Sequence, residues 1–225
     1  MKIIIYDLET TGLDAAKDKI IELYAYNTIE QTCIHLKINP ECLIPPEITK
    51  INNFTNMDLD KEKRFSEVTP DILDFFGDNA YLISHNNDGF DKKFLLIELH
   101  KAGVSRPKNW KFIDTLKLAR TKFPDLDNYK QETLQKLLGI KVCGNHRANK
   151  DVLDLVKIYE HLTEGMTIKE IYKMSKNFLY DKMVFGKHKG TKLEEIPKDY
   201  IRWLKKDLLK NDKTLRKSFE VKNLI

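Results

Sequence analysis

The run Lys2-Ile3-Ile4-Ile5-Tyr6, followed at once by Asp7-Leu8-Glu9-Thr10-Thr11-Gly12, constrains the fold more than any other segment. Consecutive β-branched isoleucines and a tyrosine suit a buried strand of the kind found at the centre of an α/β sheet. In an extended chain residues i and i+2 point to one face, so Asp7 and Glu9 converge at the end of that strand. Like charges held together raise a carboxyl pKa unless a cation neutralises them, and hard divalent cations such as Mg²⁺ take oxygen ligands. The competing reading is an ordinary turn, since Asp, Thr and Gly are all turn formers.

The pattern that follows is layered. Residues 19–26 and 32–38 read as strands linked closely enough to the first for an antiparallel meander, stopped by Asn39-Pro40. Helical spacing then takes over, with a start at Pro45-Pro46-Glu47 and a helix over 66–76 carrying Val68, Ile72, Phe75 and Phe76. Residues 80–84 read as a strand, 91–101 as a helix stopped by Gly103, and 111–116 as a strand. Helices follow over 132–138 and 148–162, the latter with Val152, Leu155, Val156 and Tyr159 on one face. Strands alternating with helices imply an α/β domain.

Two more acidic pieces fall where such a domain builds sites. Asp91 opens a helix after Leu82-Ile83-Ser84-His85-Asn86. A carboxylate there is a favourable partner of the helix dipole, and sites in α/β sheets form beyond the carboxyl ends of strands, so this loop can meet the Asp7/Glu9 edge. Asp151 begins the apolar side of the 148–162 helix, ahead of Leu155, Ile158 and Leu162, where an inward acid needs a partner. His146, on the loop entering that helix, is either a surface histidine or a base whose near-neutral pKa suits it to deprotonating water.

The segments Asp7-Leu8-Glu9-Thr10-Thr11-Gly12, His85-Asn86-Asn87-Asp88-Gly89-Phe90-Asp91 and His146-Arg147-Ala148-Asn149-Lys150-Asp151 resemble, in order and separation, the three motifs of the DEDDh, or DnaQ-like, 3′ to 5′ exonucleases. Phe112-Ile113-Asp114-Thr115-Leu116 resembles the family's intervening strand. The resemblance covers about residues 1–165 and implies an RNase H-like fold, a mixed five-strand sheet flanked by helices. It also implies hydrolysis of a 3′-terminal phosphodiester with two divalent ions, Mg²⁺ or Mn²⁺. Asp7, Glu9, Asp91 and Asp151 would be the metal ligands, and His146 would take the proton from the attacking water. Two ions about 3.5–4 Å apart can stabilise attacking and leaving oxygens together.

By the same resemblance Thr10, Thr11, Gly12 and Leu13 would contact the terminal nucleotide, with Leu13 wedged against its base, and His85, Asn86 and Phe90 would line the site. Three residues separate Asn86 from Phe90, as in TREX-type members, so either Asn86 or Asn87 can be the motif asparagine.

The formal net charge of +5 is a sum of unlike parts. Residues 1–170 carry 24 basic and 27 acidic side chains, whereas residues 171–225 carry 15 and 7. A basic tail on an acidic body points to a polyanion as its partner. A boundary is expected at Gly165, giving an exonuclease domain over 1–165 and a small basic α+β module over 178–225. Met183-Val184-Phe185-Gly186-Lys187-His188-Lys189-Gly190 and 196–204 resemble the C-terminal module of exonuclease X-like proteins. A helix is expected over 197–210, with Phe185, Ile196, Tyr200, Trp203 and Leu204 as a miniature core, base stacking being the alternative for Trp203. Lys187, His188, Lys189, Lys192 and Arg202 are then the candidate phosphate contacts, the alternative being a solvated lysine-rich face.

Cys33, Cys42 and Cys143 are odd in number and lack a ligand spacing, and no apolar run approaches 18 residues. Disulfide scaffolds, structural zinc, membrane insertion and secretion are therefore not expected, and an intracellular location is. The leading expectation is a metal-dependent 3′ to 5′ exonuclease on single-stranded or frayed DNA ends. Its alternatives are an RNA-trimming enzyme, a non-catalytic nucleic-acid binder and a polymerase proofreading partner.

Overall fold

The computed structural model describes residues 1–140, 148–206 and 208–225, with the side chains of 148, 149, 210 and 211 outside that description. Its chain divides into two compact units, Met1–Lys176 and Asn177–Ile225.

In the first unit, strands β1 (Lys2–Thr10), β2 (Ile20–Asn27) and β3 (Thr32–Lys37) form the expected meander. Helices α1 (Pro46–Asn52), α2 (Asn56–Leu59) and α3 (Phe65–Phe76) lead to β4 (Ala80–Ser84) and α4 (Asp91–Lys101). Then come β5 (Lys111–Asp114), α5 (Thr115–Lys122), α6 (Gln131–Leu137), α7 (Ala148–Thr163) and α8 (Ile168–Asn177). The sheet order is β3-β2-β1-β4-β5, with β4 parallel to both β1 and β5, which is the mixed five-strand sheet of an RNase H-like fold. The parallel strands are nearly continuous apolar runs because helices cover both faces.

Alternation along β1 sorts its side chains. Ile4, Tyr6 and Leu8 join Val68, Ile72 and Phe76 of α3 and Phe94, Leu95 and Leu99 of α4 in one core. On the other face Ile5 joins Ile83, Ile113, Leu118, Val152, Leu155 and Ile158 in a second. One face of β1 thus looks toward α3 and α4, the other toward α7, and the second face carries Asp7 and Glu9.

Four expectations about elements are corrected. β1 continues past Tyr6 to Thr10, so Asp7 and Glu9 belong to the ladder, opposite Tyr24 and Glu22, and the register shifts only between Glu9 and Thr10. The strand expected over 111–116 stops at Asp114, whose carboxylate accepts the Leu116 N–H at 3.0 Å and caps α5, a helix not anticipated. The helix expected over 197–210 is two pieces, α9 (Lys198–Lys206) and α10 (Leu208–Asn211), followed by an unanticipated α11 (Lys213–Val221). Trp203, placed in the miniature core by sequence, is 53% exposed. The helix buries Ile201 and Leu204, and Trp203 lies about 100° around the axis from Leu204.

The second unit has its own core of Met183, Leu193, Ile196, Ile201, Leu204, Leu209, Leu215 and Phe219, against which Phe185 and Tyr200 are half-buried. Among the described residues no helix is long and apolar enough to cross a membrane. Cys143 lies outside the described residues; Cys33 and Cys42 are free and exposed.

Candidate active site

β1 and α7 bring the first carboxylates together. Asp7 and Glu9 project from the face that also carries Ile5, and the first turn of α7 presents Asp151 to that face. One carboxylate oxygen from each of the three lies within 4.8 Å of the others, and all three side chains are half-buried. Three oxygen donors at that spacing suit a hard divalent cation.

Asp91 stands just behind this group. At the start of α4 its carboxylate accepts the Leu8 N–H at 3.2 Å and the Ser84 hydroxyl at 2.6 Å, which lock it between β1 and β4. Its charge is nonetheless felt: burial first, then Asp91, Glu9 and Asp151, raise the Asp7 pKa well above the ordinary carboxylate range. Glu9 is pushed up to about 7 by burial, then by Glu22, Asp151 and Asp91, against a hydrogen bond with Asn52. Asp91 is pushed up to about 7 by burial, opposed by its bonds from Ser84 and Leu8. Without a counter-ion this cluster resists full ionisation.

His146 lies outside the described residues. The loop between β4 and α4 separates its two asparagines. Asn87 is fully buried and accepts the Tyr6 hydroxyl at 2.7 Å while donating to the carbonyls of Leu82 at 3.0 Å and Ile113 at 2.9 Å, so it ties β1, β4 and β5 together. Asn86 is exposed at φ 64°, a left-handed position asparagine tolerates. Asp88 is held below the usual carboxylate range, burial being outweighed by ion pairs to Lys117 at 2.6 Å and Lys92 at 2.7 Å. That clamp ties the loop to α4 and α5.

His85 has both ring nitrogens engaged, Nε2 donating to the Tyr129 carbonyl at 2.7 Å and Nδ1 within 2.9 Å of the Thr115 hydroxyl. Burial pushes its pKa down to about 4, which keeps the ring neutral and consistent with that tautomer. Phe90 is half-buried, its ring 4.8 Å from Phe94. Thr10 and Thr11 are buried, the Thr10 hydroxyl donating to the Gly12 carbonyl at 2.5 Å and the Thr11 hydroxyl accepting the Lys19 N–H at 2.9 Å. The turn so fixed leaves Leu13 85% exposed at its tip.

Three neighbours of the acids escaped sequence reading. Glu22 is buried opposite Glu9 on β2, with Oε1 2.6 Å from His35 Nε2. Its only sequence signal is one acid inside the run Ile20-Ile21-Glu22-Leu23-Tyr24. Ser84 and Asn52, partners of Asp91 and Glu9, are small polar residues at the ends of β4 and α1, and nothing marks them beforehand. In the second unit Lys187, Lys189, Lys192 and Arg202 are exposed, whereas the His188 ring packs edge-on against Tyr200 at 4.6 Å. Arg202 pairs with Asp199 at 3.0 Å.

Residues 4–159 match a family model described as Exonuclease, and residues 170–211 match a second whose description names a quorum-sensing-regulated virulence factor. The chain is 32% identical over 191 residues to the 3′-5′ exonuclease DinG of Bacillus subtilis, covering 80% of this chain and 20% of that protein. It is 33% identical over 160 residues to the DNA polymerase III subunit epsilon of Treponema pallidum, covering 68% of this chain and 73% of that one. Among solved structures, exonuclease X in complex with 5′-overhanging duplex DNA superposes with a TM-score of 0.58 at 20% identity, over 77% of this chain and 99% of that one. The chain therefore spans a fifth of the DinG relative but most of the epsilon subunit.

Proposed function

Because the chain belongs to the exonuclease family matched over residues 4–159, we propose that it hydrolyses the 3′-terminal phosphodiester bond of DNA, releasing nucleoside 5′-monophosphates from single-stranded or frayed ends. The observation that carries this reading is the convergence of Asp7, Glu9 and Asp151 within 4.8 Å, with Asp91 locked behind them. An uncompensated acidic cluster would repel a phosphodiester, so the site works only with cations in place.

The donor set fits two divalent ions, Mg²⁺ or Mn²⁺, held by Asp7, Glu9, Asp91 and Asp151. When bound they supply charge neutralisation at the phosphate and activation of water at neutral pH. The protein's own groups do the rest. Ser84 and Leu8 hold the Asp91 carboxylate in one orientation, so no reorganisation is needed when substrate arrives. His146, which precedes Asp151 by five residues in the sequence, takes the proton of the attacking water. The buried Thr10 and Thr11 stiffen the turn that offers the amides of Gly12 and Leu13 to the terminal nucleotide, and the exposed Leu13 side chain wedges against its base. Lys187, Lys189, Lys192 and Arg202 of the second unit add phosphate contacts.

The test is digestion by the purified chain of labelled single-stranded DNA, duplex DNA, mismatched ends and RNA, with Mg²⁺, Mn²⁺ or EDTA. Mononucleotide release from DNA 3′ ends with either metal, lost in Asp7→Ala and His146→Ala, is expected. Failure to trim any end with either metal overturns the reading. The likeness to an epsilon subunit also favours a polymerase-associated role, which co-purification with a polymerase would support.

A further inference from the structure

The second unit carries an aromatic surface that its core does not use. Trp203 is 53% exposed, and its ring centroid lies 5.2 Å from that of the half-buried Tyr200 with the planes inclined by only 30°. Tyr200 is in turn fixed from below and beside. The His188 ring meets it edge-on at 4.6 Å, and Lys187 Nζ lies 5.3 Å from its ring centroid. Its hydroxyl fills the space where a Cβ on Gly186 would stand, 2.6 Å away, and Gly186 has a φ of +68°. Only glycine lets the basic turn dock so closely on the tyrosine.

Cations lie near this pair. Lys187 and Lys189 belong to the docked turn, and Arg202, which also pairs with Asp199 at 3.0 Å, and Lys206 are exposed on α9 beside and one turn beyond Trp203. Residues 177–225 carry 13 Lys and Arg against 7 Asp and Glu, a net charge of +6. A single exposed apolar residue needs no explanation. Two aromatic rings in contact, one of them exposed, with a lysine over the other and further cations nearby in the chain, complement single-stranded nucleic acid, since every base has a π-face and every linkage a negative charge.

We propose that Tyr200 and Trp203 form a base-stacking platform for single-stranded DNA or RNA, its phosphates held by Lys187, Lys189 and Arg202. The platform rests on the nucleic-acid reading of the chain but not on hydrolysis, so the two can fail separately. A strand stacked here is a second contact, beyond the terminal nucleotide.

Trp203 supplies its own reporter. The chain has two tryptophans, and Trp110 is buried with its Nε1–H donated to the Gly77 carbonyl at 2.6 Å. The full chain in EDTA is titrated with oligothymidylate or oligouridylate of about 16 residues. Intrinsic fluorescence is followed together with the anisotropy of a labelled strand. Quenching of the wild type is expected, with binding weakened about tenfold in Trp203→Ala but retained within about twofold in Trp203→Phe, since an aromatic face is what matters. An abasic strand of equal length should bind wild type and Trp203→Ala alike. Saturation without quenching, wild-type affinity in Trp203→Ala, or an equal loss on the abasic strand overturns the platform. Binding with these signatures but no cleavage in Mg²⁺ would leave the platform standing and remove the exonuclease reading.

Discussion

Replacing Glu9 with glutamine should stabilise the metal-free protein while abolishing its response to metal. Glu9 is pushed from 4.5 to about 7 by burial and by Glu22, Asp151 and Asp91. A rise of about 2.5 units at 1.36 kcal/mol per unit makes the ionised side chain about 3 kcal/mol worse off folded than unfolded. The folded state binds the extra proton, so metal-free stability falls as pH climbs from about 4.5 to about 7 and stays low above. Glutamine keeps the shape and removes the charge. Some gain is lost to poorer solvation of the amide, leaving about 2 kcal/mol at pH 8 and a loss of up to about 1 kcal/mol at pH 4.5. For a unit of this size that is about 4–8 °C in Tm. Thermal melts in EDTA and in Mg²⁺, at pH 5 and 8, read both effects. In EDTA at pH 8 the variant should melt above wild type, and in Mg²⁺ the wild type should gain while the variant gains little. A metal-free variant melting at or below wild type at pH 8, or a wild type indifferent to pH between 5 and 8, would refute the electrostatic account of the cluster.

Other perturbations separate scaffold from site. Asn87→Ala leaves the Tyr6 hydroxyl and two carbonyls without their partner in the core, so urea unfolding should show a loss of about 3–5 kcal/mol with the wild-type m value. Ser84→Ala frees the Asp91 carboxylate without removing it, so kcat should fall about tenfold or more with little change in KM, read from initial rates in saturating Mg²⁺. Deleting residues 177–225 should raise KM for a long single strand and flatten its salt dependence while kcat is kept, measured between low and physiological salt.

Much of this molecule was legible in its residues, for identifiable reasons. The period of two along β1 put Asp7 and Glu9 on one face without knowledge of anything else, and Asp91 was marked as a helix start by the change of period after Ser84. The mixed five-strand sheet is the one the family resemblance implied. α5 was hidden because its start depends on one capping carboxylate, Asp114, inside a run that is otherwise β-favouring. Trp203 was misplaced because Tyr200, Trp203 and Leu204 share helical spacing as well as Ile201 and Leu204 do, and only packing chooses between those faces. Glu22 was missed because an acid in a strand reads as solvent-facing until the register sets it opposite Glu9.

The central claim, metal-dependent attack at a 3′ terminus by the Asp7, Glu9 and Asp151 cluster, is tested most directly with one single-stranded DNA oligonucleotide labelled at either end. In Mg²⁺ the 3′ label should appear at once as a mononucleotide while the 5′-labelled strand shortens stepwise, and EDTA or Asp7→Ala should abolish both. Internal cuts, release from the 5′ end, or cleavage that persists in EDTA would contradict it.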